Sequence, residues 1–252
     1  MPAIEVLGVS HTFPGHPPVA SLRDVHLSVE NGEFVSIVGP SGCGKSTLLR
    51  ILAGLLLPTG GEALVEGKRC DGKPGAAAYM PQGGVLLPWL RAMSNATLGA
   101  RLAGLSTTAA HRRAGELFER FGLGGFEQSW PAELSGGMQQ RVALLRTFLM
   151  PRSVCLMDEP FGALDAITRA DIHRWLEDVW LAERRAVLFV THDVEEALVL
   201  SDRVYIMSKR PGTMVRELTV PFERPRTRSV VASAEFGALK GQLLEALGAA
   251  SS

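Results

Sequence analysis

Two short stretches carry residue types that together could transfer phosphate: a glycine-rich run ending in lysine and hydroxyls, and a pair of adjacent acids. The first is Gly39-Pro40-Ser41-Gly42-Cys43-Gly44-Lys45-Ser46-Thr47. Glycines at this density let a backbone curl so that its N–H groups point inward at phosphate oxygens, and a helix N-terminus behind the curl adds a favourable dipole. Lys45 would supply positive charge to the outer phosphates, and the Ser46 hydroxyl would ligate a Mg²⁺ ion bridging them. The second stretch, Val154-Cys155-Leu156-Met157-Asp158-Glu159, is an apolar run ending in two carboxylates. Adjacent acids at the carboxyl end of a strand can divide two tasks, Asp158 holding the Mg²⁺ shell beside Ser46 and Glu159 polarising an attacking water. A third candidate, His192, directly follows the apolar run Ala186 to Val190 and Thr191. That location would set its ring beside the acids, where it could hydrogen-bond the terminal phosphate.

Such groups work only if secondary structure positions them. Phe34-Val35-Ser36-Ile37-Val38 reads as a compact apolar strand, followed by the glycine-rich turn and a helix with Leu48, Ile51, Leu52 and Leu55 on one face. Strand, loop and helix in that order is the context a phosphate loop requires. Val154 to Met157 and Ala186 to Val190 are further short apolar strands, and the helix between them places Ile172, Trp175, Leu176 and Val179 on one face. This alternation predicts a parallel sheet. Ahead of it, Ile4 to Val9 and His26 to Val29 are β-like and are broken by a Pro-rich turn around Pro14 to Pro18, which predicts an antiparallel β-layer. Residues 83–150 are mainly helical, with polar spacers such as Ser106-Thr107-Thr108. The last ~30 residues hold an amphipathic helix with Phe236, Leu239, Leu243 and Leu247, too short for a regulatory domain. The expected organisation is one α/β domain over residues 1–252, its core at 1–82 and 151–220 combining a mixed sheet with the antiparallel layer, a helical lobe inserted at 83–150, and a helical tail at 221–252.

Composition narrows the function. The 252 residues are 46% hydrophobic and 21% charged, an ordinary globular balance. Lys plus Arg and Asp plus Glu both number 26, so no large basic field exists to hold nucleic acid by counterion release. Cys43, Cys70 and Cys155 are widely spaced and odd in number, which fits neither a disulfide framework nor a zinc cluster and suits a reducing cytoplasm. Met1 to Ser10 lacks the features of a signal peptide, and no stretch approaches the ~20 apolar residues that span a bilayer. Any membrane role is therefore expected to come through a partner.

A third motif discriminates among phosphate-loop proteins. Leu134-Ser135-Gly136-Gly137-Met138-Gln139-Gln140-Arg141 opens a helix with Met138, Val142, Leu145 and Leu149 on one face, and its Ser and two glycines make a second anion-binding N-terminus. This segment resembles the signature of ATP-binding cassette (ABC) ATPases, and the resemblance extends from about residue 3 to about residue 220. It implies the phosphate-loop NTPase fold, with ATP and Mg²⁺ bound at Gly39, Ser41, Gly42, Cys43, Gly44, Lys45, Ser46 and Thr47. It also implies a head-to-tail dimer in which Ser135, Gly136 and Gly137 face the phosphate loop of a second subunit, expected to be an identical chain. By the same resemblance Gln82 matches the glutamine that links the nucleotide and its Mg²⁺ to a transmembrane subunit, and Asp165 in Ala163-Leu164-Asp165 matches a dimer-contact loop. His192 matches the switch histidine, and Phe13 the aromatic that stacks on adenine. Phe161-Gly162-Ala163 stands where many relatives have Ser before Ala-Leu-Asp, a departure common in one importer subgroup.

Leu86-Leu87-Pro88-Trp89 resembles a segment of importers for nitrate, sulfonates and taurine and for pyrimidine precursors of thiamine. Arg210-Pro211-Gly212 and Pro225-Arg226 look like the same subgroup, while Ala78-Tyr79-Met80-Pro81-Gln82 and Leu144-Leu145-Arg146-Thr147 lean toward the pyrimidine branch. A Pro-Trp could equally be core packing of the helical lobe. The resemblance implies an ATPase peripheral to the cytoplasmic face of the cell membrane. Permease subunits would dock near Gln82 and Trp89, and an extracytoplasmic substrate-binding protein would take part indirectly. The alternative is a soluble ABC ATPase acting on nucleic acid or ribosomes, which would share every nucleotide motif but usually carries coiled-coil insertions or two cassettes.

Overall fold

The run Phe34–Val38 is buried at every residue, as a strand covered on both faces requires, and it lies inside the larger of two sheets. The computed structural model describes residues 1–83, 86–162 and 166–251, with the side chains of 166–168 and 251 left aside. In chain order the elements are β1 (Ile4–Phe13), β2 (Val19–Val29), β3 (Phe34–Val38), α1 (Lys45–Leu52), β4 (Gly60–Val65), β5 (Lys68–Arg69) and β6 (Ala78–Met80). Three helices follow, α2 (Ala92–Leu102), α3 (Thr107–Arg120) and α4 (Gly136–Leu149). The chain then runs through β7 (Val154–Asp158), α5 (Ala166–Glu183), β8 (Ala186–Val190), α6 (Val194–Leu200), β9 (Arg203–Met207) and β10 (Met214–Thr219), and ends in α7 (Arg228–Val231) and α8 (Ala234–Ser251).

The six-stranded sheet has the order β10-β9-β3-β8-β7-β6, parallel throughout except for β10, which pairs antiparallel to β9 at the edge. A second, antiparallel sheet has the order β2-β1-β4-β5. The mixed sheet and the antiparallel layer expected from the sequence are both present. Strands β1 and β2 are longer than the apolar runs that announced them, because register shifts between Val6 and Thr12 interrupt the alternation a half-buried strand would show. Gly8, at φ 63°, sits in that irregular stretch.

Among the described residues three apolar clusters hold the layers together. One joins α2, α3, α4 and α5 to a face of the main sheet through Phe34, Phe148, Trp175, Trp180 and Phe189. A second fills the space between the two sheets and α1, with Val6, Val25, Val35, Leu48 and Ile51. The third packs α8 against α6 and β9 through Val38, Leu198, Ile206, Phe236 and Leu243. Burying Phe236 and Leu243 is worth about 1.5–3 kcal/mol each, so α8 is held by the sheet and not by its own propensity. The Pro225-Arg226 pair has a structural role: Arg226 donates from Nη1 to the carbonyls of Leu198, Val199 and Ser201, which the end of α6 would otherwise leave unpaired. Burial, and then the neighbouring Arg224 charge, push the Arg226 guanidinium down to about 10.

Two expectations are corrected. Leu55 does not continue the buried face of α1: the helix ends at Leu52, Gly54 turns the chain at φ 71°, and Leu55 is 56% exposed. Ser106-Thr107-Thr108 is no spacer, since the Ser106 side chain accepts from Ala109 N–H as the N-cap of α3. Among the described residues no helix is long and apolar enough to cross a membrane.

Candidate functional site

Strands β3, β6, β7 and β8 run parallel, so their carboxyl ends, and the loops that leave them, share one edge of the sheet. That edge opens on a cavity of about 440 Å³ whose lining includes Phe13, Ser41, Gly42, Gly44, Lys45, Ser46, Thr47, Gln82 and Glu159. A cavity of that size falls within the range of small-molecule sites.

The loop from β3 to α1 supplies one wall. Gly44 adopts φ 115°, and a Cβ there would stand 2.6 Å from Leu22 and 2.8 Å from the Ser21 carbonyl. Gly42 adopts φ 75° with no heavy atom within 4 Å of its would-be Cβ, so this part of the curl is open to whatever approaches it. Gly39 and Cys43 lie underneath: a Cβ on Gly39 would meet the Met207 carbonyl at 2.8 Å, and Cys43 is buried. The Lys45 amine donates to the carbonyls of Gly39 and Pro40 at 2.8 and 2.9 Å, which holds a buried cation at the head of α1.

The acids supply the floor. Ser46 Oγ donates to Asp158 Oδ1 at 3.0 Å. Burial, reinforced by the charge of Glu159, raises the Asp158 carboxyl above its ordinary value, against the pull of the Ser46 hydrogen bond. Glu159 follows at φ 46°, a left-handed conformation that costs a non-glycine residue of order 1–3 kcal/mol. Its N–H donates to the Val190 carbonyl at 2.9 Å, which ties it to β8. Its Oε2 accepts from Gln82 Nε2 at 3.0 Å and lies 3.3 Å from His192 Nδ1. His192 is otherwise open, 62% exposed. The loop after Glu159 is also held, because Gln140 of α4 donates to the Pro160 carbonyl.

Ser135, Gly136 and Gly137 are not brought to this cavity. They begin α4 elsewhere, with Ser135 as N-cap accepting from Met138 N–H at 3.3 Å, and Ser135 and Gly136 are exposed. Asp165 lies outside the described residues. Phe13 is half-buried at the cavity mouth, its ring edge-on to His11 at 4.5 Å. Trp89 is 69% exposed, which rules out the core-packing reading of the Pro-Trp pair.

The same lining contains Val19, Ser21 and Arg210, which sequence reasoning did not place in a site. Ser21 comes from β2, where its Oγ pairs with Thr47 Oγ1 at 3.1 Å, and Arg210 comes from the β9–β10 loop. Pairing between segments far apart in the chain put them there, and nothing local in the sequence signals it.

Comparison with known proteins bears on this geometry. The family model described as ABC transporter matches residues 22–162, more than half of the chain. The chain is 47% identical over 249 residues to the aliphatic sulfonates import ATP-binding protein SsuB 1 of Rhodococcus jostii, covering 98% of this chain and 96% of the relative. It is 43% identical over 232 residues to the nitrate import ATP-binding protein NrtD of Synechocystis, covering 90% and 87%. Among solved structures, the dimeric post-hydrolysis state of the ATP-binding cassette MJ0796 bound to ADP and Pi matches with a TM-score of 0.78 and 30% identity, over 87% of this chain and all of that one.

Proposed function

The chain belongs to the ABC transporter family, and from that premise we propose that it is the ATP-hydrolysing subunit of an importer for small anions of the sulfonate or nitrate type. The observation that carries the reading is the convergence on one cavity of Lys45, the Ser46–Asp158 pair and the Glu159–Gln82–His192 cluster.

The residues present fit ATP with Mg²⁺. The open curl at Gly42 and the buried cation of Lys45 suit phosphate oxygens. Mg²⁺ prefers hard oxygen donors in an octahedron with bonds of about 2.0–2.1 Å, which sets adjacent donors ~2.9 Å apart. Ser46 Oγ and Asp158 Oδ1, 3.0 Å apart, match two such positions. Among the described residues no group of three His, Cys, Asp or Glu could hold a metal. Ser46, Asp158 and Gln82 would hold the ion, with phosphate oxygens and water completing its shell.

Lys45 and the backbone N–H groups of the loop hold the outer phosphates, and Phe13 offers its ring to the base. Bound Mg²⁺ neutralises charge on the phosphates. Glu159 accepts the proton of a water as that oxygen attacks the terminal phosphorus, the bond to the bridging oxygen breaks, and ADP and phosphate are released. Gln82 orients Glu159 Oε2, and His192 senses the terminal phosphate from the exposed side. The dimeric state of the matching cassette supports a dimer. In the arrangement proposed here the two copies lie head to tail, Ser135, Gly136 and Gly137 complete the partner's site, and Asp165 is at the contact. Residues 83–150 act as the helical lobe on the 1–82 and 151–220 core, with 221–252 as its tail. Permease subunits dock near Gln82 and Trp89, and the subunit works at the cytoplasmic face of the membrane; the exposure of Trp89 supports this reading. Relatives named for import favour this over a role on nucleic acid or ribosomes.

The test is co-expression with a permease and its substrate-binding protein, and ATPase assay with alkanesulfonates, taurine, nitrate and aminopyrimidines. Stimulation by a sulfonate, taurine or nitrate is expected. Stimulation by an aminopyrimidine would move the assignment to thiamine-precursor import, and failure to assemble with any permease would defeat the transport reading.

A further inference from the structure

The β9–β10 loop, residues 208–213, is built onto the phosphate loop. Gly212 N–H donates to the Ser21 carbonyl at 2.9 Å and Arg23 N–H donates to the Gly212 carbonyl at 3.0 Å, so the segment lies along β2 with Leu22 opposite Gly212. A Cβ on Gly212 would stand 2.2 Å from the Cys43 carbonyl, an approach open to glycine alone. The loop is closed on itself as well: Ser208 N–H donates to the Thr213 carbonyl at 2.9 Å, and Thr213 N–H to Ser208 Oγ at 3.0 Å. Arg210, two residues before the contact with Cys43, therefore projects from a braced wall and lines the cavity.

Its charge has no internal use. Arg203 is bonded to Glu33 and Glu217, and Arg224 to Asp202 and Glu177, whereas Arg210 has no ion pair or hydrogen bond among the described residues. Among the described residues that line the cavity the other charged side chains are Lys45 and Glu159, with the Asp158 carboxyl behind Ser46. Arg210 supplies the second cation of a site whose acids, Glu159 and Asp158, would otherwise outnumber Lys45, and a polyanion needs that charge. A guanidinium pairs with phosphate oxygens through several N–H groups at once.

We propose that Arg210 is a further nucleotide-binding residue, pairing with the phosphate chain of ATP from the β9–β10 loop. The inference rests on the ATPase reading above and adds to it a contact from outside the phosphate loop. It is tested with the full chain by measuring affinities for ATP, ADP and adenosine in wild type, Arg210→Ala, Arg210→Gln and Arg210→Lys. Arg210→Ala should weaken ATP and ADP about tenfold while changing adenosine less than about twofold, and Arg210→Lys should recover part of the loss. Arg210→Gln keeps most of the side-chain length without the charge, so it gives the answer if the alanine variant folds poorly. Added salt should weaken ATP binding more steeply in wild type than in Arg210→Gln. Unchanged ATP affinity in the neutral variants, or an equal loss for adenosine, would overturn the proposal while leaving the ATPase reading intact. Failure of wild type to bind ATP, or binding indifferent to Lys45→Ala, would overturn both.

Discussion

Helices α1 and α4 both begin with glycine beside a polar residue, yet their N-termini are finished differently. The N-cap of α1 is Gly44, left-handed and without a side-chain cap, while Lys45, Ser46 and the Asp158 carboxylate crowd around it. Its first amides are left for a ligand, and the surrounding fold builds the rest of the cavity. The N-cap of α4 is Ser135, whose hydroxyl already accepts from Met138 N–H, and no heavy atom lies within 4 Å of where a Cβ on Gly136 would be. One terminus is enclosed by its own chain. The other is presented bare, as expected of half a site that a second subunit completes.

Substitutions can break or sharpen that contrast. The largest effect is expected from Glu159→Gln at the enclosed site: turnover should fall by about 10²–10⁴ while an ATP-dependent dimer persists in size-exclusion chromatography, and an unchanged rate would remove Glu159 as the base. Next comes Gly136→Asp at the bare site. Because the position is open, the variant should fold with an unaltered Tm and bind ATP as a monomer, yet lose about 100-fold in turnover as its carboxylate opposes the partner's phosphates. Loss of monomer ATP binding in that variant would erase the distinction between the two termini. Gly44→Ala should act oppositely, through the fold, costing about 2–3 kcal/mol in denaturant unfolding because its methyl meets Leu22 and Ser21 and its φ is 115°.

The smallest effect concerns the buried acid. The Asp158 carboxyl is raised in the folded chain, so its ionisation favours the unfolded state, and its contribution to stability is present at low pH and lost as pH rises through the folded value. In EDTA without nucleotide, Asp158→Asn should therefore melt slightly higher than wild type at about pH 7.5, with the gap closing as pH falls through the carboxylate range. A gap that widens toward acid would contradict the direction of the shift.

What was legible in the sequence follows from what is local. Strands β3, β7 and β8 are short, fully buried and uninterrupted, so apolar runs marked them, and the residues that leave their carboxyl ends had to share an edge. Lys45, Asp158, Glu159 and His192 were legible for that reason. The ends of β1 and β2 were not, because register shifts and Gly8 scramble the alternation that would reveal them. Leu55 was misread because a helical period continues on paper past the turn at Gly54. Arg210 is brought beside Ser21 through the pairing of Leu22 with Gly212, residues far apart in the chain.

The bond from Gln140 to the Pro160 carbonyl joins α4 to the loop that follows the acids beside α1. Gln140 sits one turn into α4, and Pro160 is the residue after Glu159. A shift of α4 along its axis would load that link, next to the left-handed backbone of Glu159. The exposed start of α4 is thus linked through one side chain to the carboxylate proposed as the base.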